Sequence, residues 1–129
     1  MLSLDKVHHI AIICSDYERS KSFYCNVLGF TILQEVYREE RKSYKLDLAL
    51  NNEYVIELFS FPDSIKRPSR PEAFGLRHLA FAVKDLQQEL MELTRLGIEY
   101  EQVRIDESMG KKFIFFRDPD DLPLELYEI

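Results

Sequence analysis

The chain has no tryptophan and, in 129 residues, only two cysteines, four glycines and five prolines. Cys14 lies in an apolar run and Cys25 in a helical pattern, and neither belongs to a CxxC pair. A disulfide framework is thereby excluded, and both are expected to be reduced thiols in or near a core. The longest apolar stretch, Ile10 to Cys14, falls far short of the roughly 20 residues that a membrane-spanning helix needs. Met1 to Lys6 lacks the basic start and long apolar middle of a secretory signal, so a cytoplasmic location is expected. Basic residues are in deficit, 17 against 23 acidic, and the formal charge of −6 disfavours a general nucleic-acid binder. What is present is 46% hydrophobic, 31% charged and 12% aromatic, the make-up of one soluble globular domain and not of a disordered, collagenous or coiled-coil chain. Local basic spots (Arg38, Arg41, Lys42; Lys66, Arg67, Arg70; Lys111, Lys112) read as solvated faces or anion contacts.

The chain repeats itself. His9-Ile-Ala-Ile-Ile-Cys-Ser-Asp16 aligns with His78-Leu-Ala-Phe-Ala-Val-Lys-Asp85, with His, Ala and Asp in register at an offset of 69. Leu28-Gly29 aligns with Leu96-Gly97, and Val55 to Phe59 with Pro123 to Tyr127, both at an offset of 68. Residues 1–129 are therefore expected to form one domain of two modules, about 5–60 and 76–129, joined by a linker 61–75 that holds Pro62, Pro68 and Pro71.

Apolar periodicity gives each module the order strand, helix, three strands. In the first, the strand covers about Val7 to Cys14 and Ser15-Asp16-Tyr17-Glu18 has the form of a capping box, with Ser15 as the cap. A helix then runs to Leu28, stopped by Gly29, and strands follow near 30–37, 43–50 and 54–59. Tyr44, Leu46, Leu48 and Leu50 alternate with Lys45, Asp47 and Ala49, the pattern of a half-buried antiparallel strand, and Asn51-Asn52 supplies a turn. In the second module a strand at 77–83 leads to a helix with Leu86, Leu90, Leu93 and Leu96 on one stripe. Strands near 98–104, 112–117 and 122–128 complete it, with Asp118-Pro119-Asp120-Asp121 as a turn.

Strand alternation sets His9 with Ala11 and Ile13 on one face, and His78 with Ala80 and Ala82 on the equivalent face. His8 falls on the opposite side and is assigned a packing or surface role. Glu57 and Glu125 stand between apolar neighbours in the closing strands, where a carboxylate is costly without a compensating cation or hydrogen bonds. A single histidine or glutamate of this kind is usually structural. Here His9 and Glu57, 48 residues apart, recur as His78 and Glu125, 47 apart. If the modules pack about a pseudo-twofold axis, two imidazoles and two carboxylates converge, the ligand set of a divalent metal such as nickel, cobalt, zinc, iron or manganese.

These segments resemble the vicinal oxygen chelate superfamily, and within it the glyoxalase I-like proteins. The resemblance rests on His9-Ile-Ala-Ile with Asp16, Ser22-Phe23-Tyr24, Leu28-Gly29-Phe30, Val55-Ile56-Glu57-Leu58, Arg77-His78-Leu79-Ala80-Phe81, Arg117-Asp118-Pro119-Asp120 and Leu124-Glu125-Leu126. It implies an α+β fold of two βαβββ modules whose mixed sheets curl into a funnel, with a metal held by His9, Glu57, His78 and Glu125. It also implies a homodimer and a small-molecule substrate, with no nucleic-acid or membrane partner. The reaction implied is that of a lactoylglutathione lyase: a divalent ion, most readily nickel, cobalt or zinc, polarises the hemithioacetal of a 2-oxoaldehyde such as methylglyoxal. A carboxylate then moves the carbon-bound proton through an enediolate. By the same resemblance Glu125 is the base and Glu57 its symmetric counterpart.

Glu57 itself argues for the glyoxalase type, because thiol transferases and extradiol dioxygenases of the superfamily resemble one another in using three protein ligands. Two departures weigh against glutathione. The positions four past the first His and the first Glu, typically Arg and Asn in bacterial glyoxalase I, are Ile13 and Phe61 here. Arg104, Lys111, Lys112 and Arg117 are candidates to hold another anionic substrate. The alternatives are another metalloenzyme of the superfamily, an epimerase, thiol transferase or dioxygenase, or a protein that sequesters a small molecule.

Overall fold

Eight strands and two helices follow one another in the order that the repeat predicts. The computed structural model describes residues 1–129, which divide into two compact units, Met1–Lys66 and Arg67–Ile129. In the first unit, β1 (Ile10–Cys14) leads to α1 (Tyr17–Ser22), then β2 (Thr31–Arg38), β3 (Ser43–Leu50) and β4 (Glu53–Ser60). The second contains β5 (Leu79–Val83), α2 (Leu86–Arg95), β6 (Arg104–Asp106), β7 (Lys111–Arg117) and β8 (Pro123–Glu128). Each unit holds a four-stranded mixed sheet, in the orders β1-β4-β3-β2 and β5-β8-β7-β6; the first strand pairs parallel with the last and the remaining pairs are antiparallel. The fold is α+β, with open sheets and no closed barrel.

The helices explain the aspartates of the repeat. Asp16 and Asp85 are N-caps in extended conformation, and their side chains accept from the amides of Arg19 and Gln88. Asp16 therefore caps α1 in place of the expected Ser15, because its carboxylate sits three residues before a free helix amide. The predicted helix to Leu28 is shared between α1 and a π-helical turn at Phe23–Val27, whose widened loop buries Phe23 and Tyr24. Gly29 and Gly97 have φ of 79° and 71°, the left-handed conformation that ends a helix. At the second, Ile98 N–H donates to the Leu93 carbonyl at 2.9 Å and Gly97 N–H to Thr94 at 3.1 Å, a full Schellman closure.

Side-chain alternation then decides which face is dry. Ile12 and Cys14 are buried while Ala11 and Ile13 are exposed, and Leu46, Leu48, Ile56 and Leu58 close the first core. Leu86, Leu90 and Leu93 pack in the second core, which also holds Ile114, Phe116, Leu124 and Leu126. Each fully buried leucine or isoleucine stabilises by about 2 kcal/mol through removal of its surface from water. Asn51 and Asn52, both at positive φ, turn β3 into β4.

Three local expectations change. The strand placed at 98–104 is reduced to β6, because the chain touches β7 at Tyr100–Phe116 and Glu101–Phe115 and regains the ladder only at Arg104. His9 and His78 immediately precede β1 and β5 instead of lying inside them. The Lys45, Asp47, Ala49 side of β3 is not a solvent face either. Asp47 is 6% and Ala49 1% exposed, since this side carries the polar cluster described next.

Candidate metal and catalytic site

In the first unit the register places Ala11, Glu57 and Asp47 in one row across β1, β4 and β3. Alanine leaves room over the row, and His9, just ahead of β1, brings its Nε2 to 3.9 Å from Glu57 Oε2. Tyr54 Oη donates to Glu57 Oε2 at 3.0 Å and is 2.8 Å from Asp47 Oδ1. Lys45 Nζ lies 2.6 Å from Asp47 Oδ1 and 3.5 Å from Glu57 Oε2. Glu57 is thus compensated by a cation and a hydroxyl. Burial pushes the Tyr54 phenol far above its ordinary range, and its two carboxylate partners add to this. The hydrogen bond to Asp47 raises Lys45 above its ordinary value, against the opposing effect of burial.

His8 belongs to this cluster, contrary to the expected opposite face. Strand alternation does not govern residues ahead of β1, and both imidazoles lie against Tyr54, with ring centroids 5.3 and 5.2 Å away. The two Nδ1 atoms are 2.8 Å apart, so one ring must donate to the other.

The second unit repeats the row with different neighbours. Ala80, Glu125 and Phe115 are in register across β5, β8 and β7. His78 Nε2 is 2.9 Å from Glu125 Oε2. At the places equivalent to Lys45, Asp47 and Tyr54 stand Phe113, Phe115 and Leu122. No lysine or arginine pairs with Glu125, and the Phe115 ring meets His78 edge-on at 5.0 Å. Arg77 Nη1 is 3.2 Å from His78 Nδ1; because arginine only donates, Nδ1 accepts and Nε2 keeps the proton that faces Glu125.

The four expected ligands therefore stand as two pairs, one in each unit, and no cluster of three or more His, Cys, Asp or Glu side chains forms a ready metal site. The donor chemistry suits a divalent ion. Each unit sets an imidazole Nε2 near a carboxylate oxygen, at 2.9 Å for His78 and Glu125 and 3.9 Å for His9 and Glu57, donor types that a first-row divalent ion accepts. Of the positions weighed against glutathione, Ile13 is exposed, while Phe61 stacks on Phe59 and lies under Arg41. Arg104 and Arg117 line a cavity in the second unit, whereas Lys111 and Lys112 are exposed. Neither cysteine forms a disulfide; Cys14 is buried, and burial pushes the Cys25 thiol up, away from reactive thiolate. No helix is long and apolar enough to cross a membrane.

Sequence signals for His8, Tyr54 and Asp47 existed only in part: their residue types were visible, but their convergence depends on register and on a chain that has not yet entered its strand.

Comparison with known proteins agrees with the fold. The Glyoxalase/Bleomycin resistance protein/Dioxygenase superfamily model matches residues 6–126. The chain is 65% identical over 125 residues to the uncharacterized protein YwkD of Bacillus subtilis (strain 168), covering 97% of this chain and 98% of that one. It is 60% identical over 128 residues to the uncharacterized protein YaeR of Escherichia coli (strain K12), covering 99% of each. The crystal structure of a glyoxalase family protein from Enterococcus faecalis superposes with a TM-score of 0.89 at 47% identity, covering 95% of this chain and 97% of that one. With two βαβββ units, each presenting a histidine and a glutamate at repeated positions, the chain belongs to the Glyoxalase/Bleomycin resistance protein/Dioxygenase superfamily, the vicinal oxygen chelate proteins.

Proposed function

We propose that the chain is a metal-dependent lyase or isomerase of glyoxalase I type, acting on the hemithioacetal of a 2-oxoaldehyde such as methylglyoxal. The observation that carries this reading is the His78–Glu125 pair, a buried carboxylate with no lysine or arginine partner, whose histidine and glutamate recur in the first unit as His9 and Glu57. His9, Glu57, His78 and Glu125 would hold the ion, nickel, cobalt or zinc in first place and manganese or iron otherwise. The set is completed within one chain or by exchange with a second copy in a homodimer. A neighbour of the same fold, a Glu-to-Gln mutant of the fosfomycin resistance protein FosX of Listeria monocytogenes (TM-score 0.74, 17% identity), has been solved with Mn(II) and 1S,2S-dihydroxypropylphosphonic acid. When bound, a divalent ion supplies Lewis acidity that stabilises oxyanion charge developing on adjacent oxygens of the substrate.

The protein's own part follows from the asymmetry of the two rows. Glu57, held by Tyr54 and Lys45, is fixed as a ligand. Glu125, with Phe115 opposite it across the sheet and no lysine or arginine partner, has only His78 to leave and is the better base. It takes the carbon-bound proton and returns it to the neighbouring carbon. Holding a metal through Nε2 requires the His78 proton to move to Nδ1 and Arg77 to let go. In the first unit a His9 ring that held the ion through Nε2 would donate its Nδ1–H to His8 Nδ1, 2.8 Å away, so His8 serves as a positioning residue.

Thioester formation from methylglyoxal tests this, using protein of verified metal content and comparing nickel, cobalt and zinc. Turnover with a thiol supports the lyase. Ile13 and Phe61 favour a thiol other than glutathione, so turnover with another low-molecular-weight thiol is the expected result. No turnover with any thiol on fully metallated protein contradicts the reading and leaves the other reactions of the superfamily or ligand sequestration.

A further inference from the structure

We infer that a cavity of about 270 Å3 in the second unit binds the oxyanion group of an anionic organic substrate, carboxylate or phosphate, beside the His78–Glu125 pair. The cavity is lined by five arginines, Arg67, Arg70, Arg77, Arg104 and Arg117, against two carboxylates, Glu72 and Glu101. In a chain of formal charge −6, such a basic concavity is where an anion would collect.

The guanidinium groups differ in what they are free to do. Arg67 is spent on the wall: it donates to Ser69 Oγ at 2.7 Å and to the Leu76 carbonyl at 3.2 Å. Arg77 is held by Glu72 at 2.9 Å. Arg70, Arg104 and Arg117 are not so held. Arg70 comes no nearer than 3.7 Å to Asp121, Arg104 no nearer than 3.7 Å to Glu101, and Arg117 stops at 3.9 Å from Glu101 and 3.8 Å from Asp121. These separations exceed hydrogen-bond length, so three forks keep N–H donors available for a ligand. Paired forks of this kind suit the planar, bidentate recognition of carboxylate or phosphate.

Phe115 connects the cavity to the chemistry. It lines the cavity, is the cross-strand neighbour of Glu125 and meets His78 edge-on. Arg104 lies over its ring at 5.2 Å. A substrate whose anionic end is held by Arg104 and Arg117 therefore extends along an aromatic wall toward Glu125. That the bound anion is a substrate rests on the function proposed above; the cavity itself stands on the geometry of this unit alone.

The test uses the full chain after chelator treatment, so that anion binding is read without metal. Phenyl phosphate and benzoate are titrated by calorimetry, with benzamide as the uncharged counterpart of benzoate. The expected result is binding of at least one anion, none of benzamide, and a loss of about tenfold or more in affinity in Arg104→Gln and Arg117→Gln and at high salt. The relative affinity of the two anions tells phosphate from carboxylate. If a glutamine variant fails to fold, Arg104→Lys replaces it, with an intermediate loss expected because charge is kept and the fork is not. Absence of anion binding, equal binding of benzamide, or unchanged affinity in folded arginine variants overturns the inference. Metal titration separates it from the proposed function: the arginine variants should keep metal uptake, and His78→Ala should lose uptake while still binding the anion.

Discussion

Glu57 and Glu125 occupy equivalent places in the two sheets, and their neighbours make them different acids. The change from Lys45, Asp47 and Tyr54 to Phe113, Phe115 and Leu122 removes a cation and a hydroxyl from one carboxylate and leaves them with the other. If Glu125 is the base, Glu125→Gln should lower kcat by about 10²- to 10⁴-fold while the protein still folds and retains weakened metal binding; steady-state kinetics with metal analysis checks this. Retained turnover would remove Glu125 from the mechanism. Arg77 holds the metal-free tautomer of His78. Arg77→Gln should therefore raise metal affinity severalfold, because a competing donor and a nearby positive charge are both lost. Competition against a chromophoric chelator measures it, and unchanged or weaker binding would show that Arg77 does not oppose the metal-bound tautomer.

The two helices depend on short signals that the repeat preserved. Asp85→Ala removes the acceptor for the Gln88 amide and should cost about 1 kcal/mol, read as a shift in urea midpoint without change in slope. A second test concerns Glu35 on β2. Its hydrogen bonds from Lys21 and from Tyr17 hold the Glu35 carboxyl below the usual carboxylate range. A lowered folded pKa means stabilisation that is complete above the unfolded carboxylate pKa and lost as pH falls through the folded value. Glu35→Gln should thus cost about 1 kcal/mol at neutral pH, reduced from a buried charge-assisted bond by solvent exposure. The difference from wild type should vanish under strong acid, and an equal difference at both pH values would contradict the assignment. Element order, both glycine stops and the repeated histidine and glutamate positions could be read from the sequence because each rests on local chemistry or on repetition. The cap at Asp16, the broken edge at 98–104 and the inward Lys45–Asp47 side could not. The cap turns on local geometry, which of two adjacent side chains reaches the Arg19 amide, and the other two on partners in neighbouring strands: the β7 edge, and Glu57 across the sheet.

For the whole molecule, two similar units make the chain's chemistry a matter of how many ligands act together. The histidine–glutamate pairs were legible because they recur, and Arg104 and Arg117 stood out as candidates to hold an anion. That they share a cavity with Arg67, Arg70 and Arg77 was not legible: Arg67 to Ala73 has no period, and only the fold sets it beside Phe115. A metal held by all four side chains binds only the folded protein, so saturating metal should raise the melting temperature and chelation should reverse the gain. The most direct test of the account is equilibrium metal analysis of wild type, His9→Ala and His78→Ala. Four ligands on one ion predict about one tightly held ion per chain in wild type and loss of tight binding in either variant. Wild-type binding that survives in either single variant, or no binding by the wild-type protein, would contradict it.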